Sequence, residues 1–445
     1  MSLFQNLLDS INGKGGQMLN HLGDRAFYLN HAVEGPFDGL SRPGDDVCAL
    51  AQSLVTDCQQ LISLLVPRRM QLLQLAFAGA LPAAVAVVSH FKVADTIEEL
   101  GGEATAVEIA AKVDTDATKL ANVLRTLTAH YVFEEHEGAY FTNNRQSREL
   151  VTKGGGAAMM ESYAQTSGKA LPGLLPLMTD KELMHSSDPR QSAFSKAHGA
   201  PIGIFDYVFD PRNHDELMTL MAGLPWLSET SARESVQHFD WSRWGKEAQV
   251  CDMGCADGGI MAHLKIKEPS LHIICQDLAP ILPRTRATME QMVPGALENG
   301  GIEIMEHDYF IEQTRLADVY WMRAVLHDYS DDDCVTILQR LKPRMLENPQ
   351  ARLLINEVIV PSLPTLKGSE NRPISETKPQ RQSSFVEITS VMQLHSVAMQ
   401  GGFERTYQDF EAIFKRAGFR VHHFYPLQFF TAIVEVAPEN PPFKL

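Results

Sequence analysis

The chain has 445 residues, 44% of them hydrophobic and 21% charged, enough for two or three domains around a large core. Its 55 acidic and 39 basic residues leave a formal charge of −16, which argues against a nucleic-acid partner and disfavours an anionic membrane surface. Six scattered cysteines with no CxxC pair give neither a disulfide framework nor a zinc pattern, so no metal is expected.

The opening MSLFQNLLDSINGKGGQ has no basic segment followed by a long apolar run, so it is not read as a signal peptide and a cytoplasmic location is expected. Residues 1–70 read as an extension of loosely patterned helix, broken at RPGDD. Leu72 to Phe91, LLQLAFAGALPAAVAVVSHF, is long enough to cross a bilayer. Gly79 and Pro82 interrupt it and six alanines dilute it, so it reads as two buried helices meeting at Pro82. Helices of this kind often bury themselves against another subunit.

Residues 71–152 form one module. TAVEIAAKV has helical spacing with Thr105 as its cap. DATKLANVLRTLTAHYVF follows, with Leu120, Val123, Leu124, Leu127 and Val132 on one apolar face. VFEEHEGAYFTNN reads as a hairpin about Gly138. Helix, turn, helix and hairpin is a winged-helix pattern. Its second helix carries only Lys119 and Arg125, and its wing carries Glu134, Glu135 and Glu137, so a phosphate backbone would be repelled. The module reads as a dimerisation or cleft-lining unit, and a homodimer is expected. Residues 153–245 read as a helical connector rich in Met, Phe and Trp. Most of those side chains belong to core, and a minority wall an apolar substrate cleft.

From residue 246 to 445 the pattern alternates. QVCDM, HIICQD, IEIMEHDYF, ADVYWMRAVL and RLLINEVIV read as strands of a mostly parallel, Rossmann-like sheet with helices on both faces, an α/β fold. FRVHHFYP and FFTAIVEVAP follow with only a short link, so the last strand is antiparallel. Residues 362–384, polar, proline-rich and aperiodic, read as a mobile surface loop.

VCDMGCADGG, Val250 to Gly259, ends the first of these strands and turns into a helix, where such a sheet binds ligands. A dinucleotide needs G-x-G-x-x-G, and Asp257 would oppose a pyrophosphate. S-adenosylmethionine is cationic and has no phosphate. Asp277, at the end of the second strand, can accept two hydrogen bonds from its ribose diol; the alternative is that it merely caps the next helix. D-x-G-x-x-x-G followed by an acid at the next strand end is more specific than either alone.

HDYF, ADVYWMRAVLHDYSDDDCVTILQRLKP, LLINEVIVP and GFERTYQDFEAIFKRAGF follow in the order and spacing of the plant- and fungal-type small-molecule O-methyltransferases, which roughly residues 75–440 resemble. The resemblance implies a class I methyltransferase fold with an N-terminal winged-helix dimerisation domain. It also implies an S-adenosylmethionine site at Gly254, Asp277, Asp308, Tyr309 and Arg323. It places a general base on His327 and two supporting acids on Glu357 and Glu404. The family usually has three glycines in a row where this chain has Gly254, Cys255 and Ala256.

Methyl transfer to oxygen needs the reactants collinear and a proton removed, and imidazole suits a phenol whose pKa is about 10. Glu357 or Glu404 would fix the tautomer of His327. Asp328 is read as a brace for the next turn, and His395 as either an acceptor contact or packing. The expected activity is O-methylation of a phenolic or enolic secondary metabolite, the acceptor being a phenolic or polyketide-type molecule. Two other readings stand beside it: a methyltransferase-like pericyclase or cyclase that uses the cation without transferring methyl, and a winged-helix regulator, which the acidic charge opposes.

Overall fold

The computed structural model describes residues 3–23, 45–186, 188–360, 384–399, 404–427 and 431–439. These fall into two compact units. One lies within Met1–Gly168, Asp215–Trp226 and Thr377–Glu387, the other within Lys169–His214, Leu227–Glu376 and Ile388–Leu445. The loop expected over 362–384 lies outside the described residues except for Ser384, which opens helix Ser384–Met399.

In the first unit, helices Arg68–Phe77 and Ala80–His90 cover the long apolar stretch. They meet at Ala78 and Gly79, and not at Pro82 as the sequence suggested. Pro82 sits in the first turn of the second helix, where its missing N–H costs nothing. The first of these helices buries no residue, leaving Leu72, Leu73, Leu75 and Phe77 exposed, and the second buries only Ala84, Val88 and Ser89. No single helix among the described residues is long and apolar enough to cross a membrane; two bent helix pairs would be, by length and composition only.

The winged-helix pattern is present with one strand more than the sequence showed. Strands β1 (Glu103–Thr105), β2 (Glu134–His136) and β3 (Tyr140–Thr142) form an antiparallel sheet in the order β1-β3-β2. Thr105 and Glu108 form a capping box on helix Ala106–Val113. Leu120, Leu124 and Leu127 of helix Ala117–Thr128 pack with Ile97, Ile109, Phe133 and Phe141. Arg125, one of the two cations of that helix, donates to Glu135 of the wing at 2.9 Å, leaving less positive charge for a phosphate.

The second unit holds a seven-stranded sheet: β4 (Gln249–Met253), β5 (His272–Asp277), β6 (Ile302–Glu306), β7 (Val319–Arg323), β8 (Arg352–Val358), β9 (Phe419–Pro426) and β10 (Thr431–Pro438). Their order is β6-β5-β4-β7-β8-β10-β9. β4 to β8 pair in parallel, and β10 inserts antiparallel between β8 and β9. Alternate residues serve opposite faces. Cys251, Tyr320 and Leu353 pack under helices Asp331–Leu346 and Tyr407–Ala417, whereas Val250, Trp321 and Leu354 pack with Met261, Leu264 and Met289 on the other side. A sheet covered on both faces explains why these strands read as continuous apolar runs. The chain runs outward from β4 through β5 to β6, then returns to β7, so the strand order reverses between β4 and β7. Crevices that bind ligands open at the carboxyl ends around such a reversal.

Candidate active site

The loop after β4 is shaped by a close approach. Gly254 has φ +104°, and a Cβ there would lie 3.1 Å from Val325 Cγ2 and 3.8 Å from the Tyr309 ring. Only glycine gives that backbone and that space together. The N–H groups of Gly254 and Cys255 both donate to the carbonyl of Gln276, which ties the loop to the tip of β5. Ala256 adopts the left-handed conformation at φ +49°, and Ala324, just after β7, does so at φ +50°. Such strain at two strand tips facing one crevice is the kind that functional loops retain. Asp257 is turned to the start of the next helix. It is buried and accepts from the Gly259 N–H at 3.0 Å at the start of helix Gly259–Lys267.

Asp277 ends β5. Its Oδ2 accepts from the Ala256 N–H and its Oδ1 from the Leu278 N–H, each at 2.8 Å. Neither bond caps the next helix, which starts at Leu282 without a side-chain cap, and each carboxylate oxygen keeps a further lone pair for a ligand. Burial pushes this carboxyl above its ordinary range, against the pull of the two backbone bonds. Asp252, buried in β4, is pushed up more strongly by burial and by Asp277, with Arg323 of β7 opposing. Tyr309 hydrogen-bonds through its hydroxyl to that of Tyr329 at 2.6 Å. Burial raises both phenols, Tyr329 to about 12. Asp308 turns its Oδ1 to the Phe310 N–H at 2.8 Å. Gly254, Asp277, Asp308, Tyr309 and Arg323 thus all stand at or just beyond the carboxyl ends of β4 to β7. A glycine cradle that a Cβ would crowd, beside a carboxylate with spare lone pairs, fits a ligand carrying a vicinal diol and no phosphate.

His327 lies on a tight turn, Leu326–Asp328, directly after β7. Its Nδ1 is 3.1 Å from Glu404 Oε1 and 3.6 Å from Glu357 Oε2, and its Nε2 is 3.1 Å from Asp328 Oδ1. Glu357, near the end of β8, spends its other oxygen on the N–H groups of Val325 and Leu326, at 2.9 and 2.8 Å. Glu404 also takes the Ser396 hydroxyl at 3.4 Å. Glu357 and Glu404 are almost fully buried, and each keeps one oxygen with no hydrogen-bond partner, whereas 21% of the His327 side chain is exposed. Burial opposes charge on the ring, but Asp328, Glu357 and Glu404 outweigh it, and His327 stands well above the ordinary histidine range. His395 lies near this group, its own basicity lowered first by burial and then by His327.

The sequence reading did not single out Arg405 or Asp331. Arg405 is 3% exposed and donates to the carbonyls of Leu326 and Tyr329, each at 2.7 Å, and to Asp331 Oδ1 at 2.9 Å. Adjacency to Glu404 was the one signal that could have found it. Asp328 was read as a brace, and its side chain instead meets the imidazole.

Residues 181–420 match the family described as "O-methyltransferase domain", and residues 73–153 match the "O-methyltransferase dimerisation domain". The chain is 29% identical to 3-O-methyltransferase 2 of Phanerochaete chrysosporium over 286 residues, 64% of this chain and 63% of that protein. It is 25% identical to demethylsterigmatocystin 6-O-methyltransferase of Aspergillus flavus over 77% of this chain and 82% of that one. A solved structure described as "A Pericyclic Reaction enzyme" shares the fold with a TM-score of 0.69 at 18% identity, covering 88% of this chain and 94% of its own.

Proposed function

The chain belongs to the O-methyltransferase family, and from that premise we propose that it uses S-adenosylmethionine to methylate an oxygen of a phenolic or enolic secondary metabolite, with His327 as general base. The observation that carries this reading is the imidazole of His327, bracketed by three carboxylates at the strand tips beside the glycine turn. When bound, the donor supplies a methyl group on a positively charged sulfur, which is already activated toward an oxygen nucleophile.

The residues divide the remaining work. Gly254 would give the donor access to the backbone, and Asp277 would accept from its ribose hydroxyls. Asp308, Tyr309 and Arg323 border the same crevice. His327 takes the acceptor's proton on Nε2, the nitrogen that Asp328 meets here, while Glu404 holds Nδ1–H and so fixes the tautomer. Glu357 holds the turn through two backbone N–H groups and adds negative charge beside the ring. Raised basicity serves the chemistry. A phenol has a pKa of about 10, and a base whose pKa is lifted toward that value removes the proton with less uphill cost.

Residues 71–152 are assigned to pairing two copies into a homodimer in the cytoplasm. The test of the activity is product analysis. Incubation with S-adenosylmethionine and a panel of phenols should form S-adenosylhomocysteine and a methyl ether in equal amounts, and His327→Ala should lose about 10²–10⁴ of the rate. Full activity in that variant would remove the base. Conversion of acceptor with no S-adenosylhomocysteine would instead mark a non-methylating reaction.

A further inference from the structure

Glu404 and Arg405 are neighbours in the chain, and their side chains reach the same short turn by different routes. Glu404 meets the imidazole of His327, and Arg405 meets the backbone that carries it. The Leu326 carbonyl lies immediately before His327 and the Tyr329 carbonyl immediately after Asp328. Arg405 donates to the first through Nη1 and to the second through Nη2, each at 2.7 Å. Its Nε and Nη2 also face Asp331 Oδ1, at 2.9 and 2.8 Å, in the first turn of the following helix. A planar guanidinium fixes the distance and angle between its donors, so a fork holding both carbonyls sets the separation of the turn's two ends.

The clamp is itself anchored. Arg405 pairs with Ile359 in a parallel bridge just past β8, and its carbonyl accepts the Val360 N–H at 3.0 Å. Glu357, which holds the Val325 and Leu326 N–H groups, lies two residues before that bridge. The backbone groups flanking His327 are therefore held from both sides by residues rooted at the tip of one strand. A buried cation so placed is more than a neutraliser of buried acid. Asp331, which pairs with it at 2.8 Å, has a half-exposed side chain that water could also serve.

We propose that Arg405 is a positioning residue for methyl transfer: by clamping the carbonyls of Leu326 and Tyr329 it sets the direction in which the His327 imidazole faces the acceptor. The proposal rests on the reading of His327 as the base. A shift of about 1 Å at a reacting group can cost on the order of 10²-fold in rate, and that is the scale expected here.

The experiment compares Arg405→Lys and Arg405→Gln with the parent protein, and repeats Arg405→Lys in a His327→Ala background. Lysine keeps the charge but, as a single point donor, cannot hold both carbonyls at a fixed spacing. The expected result is kcat reduced roughly 10- to 100-fold. S-adenosylhomocysteine affinity by calorimetry and acceptor KM should stay within about twofold, with circular dichroism unchanged. In the His327→Ala background Arg405→Lys should slow the reaction no further, because there is no imidazole left to aim. Parent kcat in a folded Arg405→Lys overturns the proposal, and so does an equal additional loss without His327. Failure of both variants to fold also overturns it, since Arg405 would then be structural. Full activity of His327→Ala alone is a different outcome: it removes the base and with it the premise.

Discussion

Asp328 Oδ1 stands 3.1 Å from Nε2 of His327, the same distance at which Glu404 Oε1 meets Nδ1 on the other side of the ring. A carboxylate accepts hydrogen bonds and donates none, so two ionised partners require a proton on each nitrogen. The three carboxylates around the ring favour its charged form and raise its basicity against the opposing effect of burial. Only the form that has lost a proton from Nε2 can act as base. The rate at saturating substrate is therefore expected to rise with pH through a value well above 6.5, the ordinary histidine pKa. Asp328→Asn removes one of the charges that hold the proton, so the rising limb should move to lower pH. A limb at 6.5 or below in the parent protein contradicts this. The same shift affects stability. Because the folded pKa is raised, the stabilisation is fully present below 6.5 and fades as pH rises through the folded value.

Glu404 contributes through charge as well as orientation. Glutamine at 404 can still accept from Nδ1–H but cannot stabilise the imidazolium formed as the acceptor's proton arrives. A hydrogen bond to a charged group is worth about 1.5–3 kcal/mol, which corresponds to roughly 10- to 100-fold in rate. Glu404→Gln should thus lose less activity than His327→Ala while binding S-adenosylhomocysteine as the parent does. Equal losses in the two variants would mean that Glu404 does something more than hold the ring.

Glu357 separates a structural duty from an electrostatic one. Its Oε1 satisfies the N–H groups of Val325 and Leu326 in a buried setting. Glu357→Ala orphans both, at about 1–3 kcal/mol each. Glu357→Gln keeps a carbonyl for them and should unfold close to the parent temperature, yet still turn over more slowly. Thermal unfolding of the two variants side by side checks the split, and equal midpoints would refute it.

The strands and their ends were legible because a sheet buried on both faces leaves apolar runs, as in Val319–Met322 and Leu353–Ile355. Glycine chemistry and family spacing led to Gly254, Asp277, His327, Glu357 and Glu404. What escaped the reading is side-chain direction. Nothing in the letters HD says that Asp328 turns back onto the ring beside it. Nor does ER say that the arginine reaches two backbone carbonyls some eighty positions earlier. The break near residue 80 was displaced for a related reason. Proline is harmless in a first helical turn, so the chain bends at Ala78–Gly79 and the proline caps nothing.

Gly254 is expected to tolerate no side chain. Alanine there would have to adopt φ near +104° and push Val325 Cγ2 away from 3.1 Å. Backbone strain of this kind costs about 1–3 kcal/mol, and Val325 adjoins the turn that carries His327. Gly254→Ala should lower the unfolding temperature and weaken S-adenosylhomocysteine together, whereas Cys255→Ala, with no such clash, should do neither to a comparable degree. If the glycine variant binds and melts as the parent does, the close approach has no role in the donor site.

Asp277 offers the cleanest separation of binding from chemistry. Its two oxygens already hold the N–H groups of Ala256 and Leu278, so the backbone fixes the carboxylate before any ligand arrives. A ribose diol would add two donors to the remaining lone pairs, and each bond to a charged acceptor is worth about 1.5–3 kcal/mol. Asparagine keeps one oxygen, but its amide nitrogen must face either a backbone N–H or a ribose hydroxyl, and it cannot accept from either. Calorimetry with S-adenosylhomocysteine should therefore show Asp277→Asn weaker by roughly 10- to 100-fold. Because the group acts on the donor equally before and during transfer, the Michaelis constant for S-adenosylmethionine should rise while kcat at saturation stays near the parent value. The reverse pattern, with kcat lost and affinity kept, would place Asp277 in the chemistry and leave the diol without its acceptor.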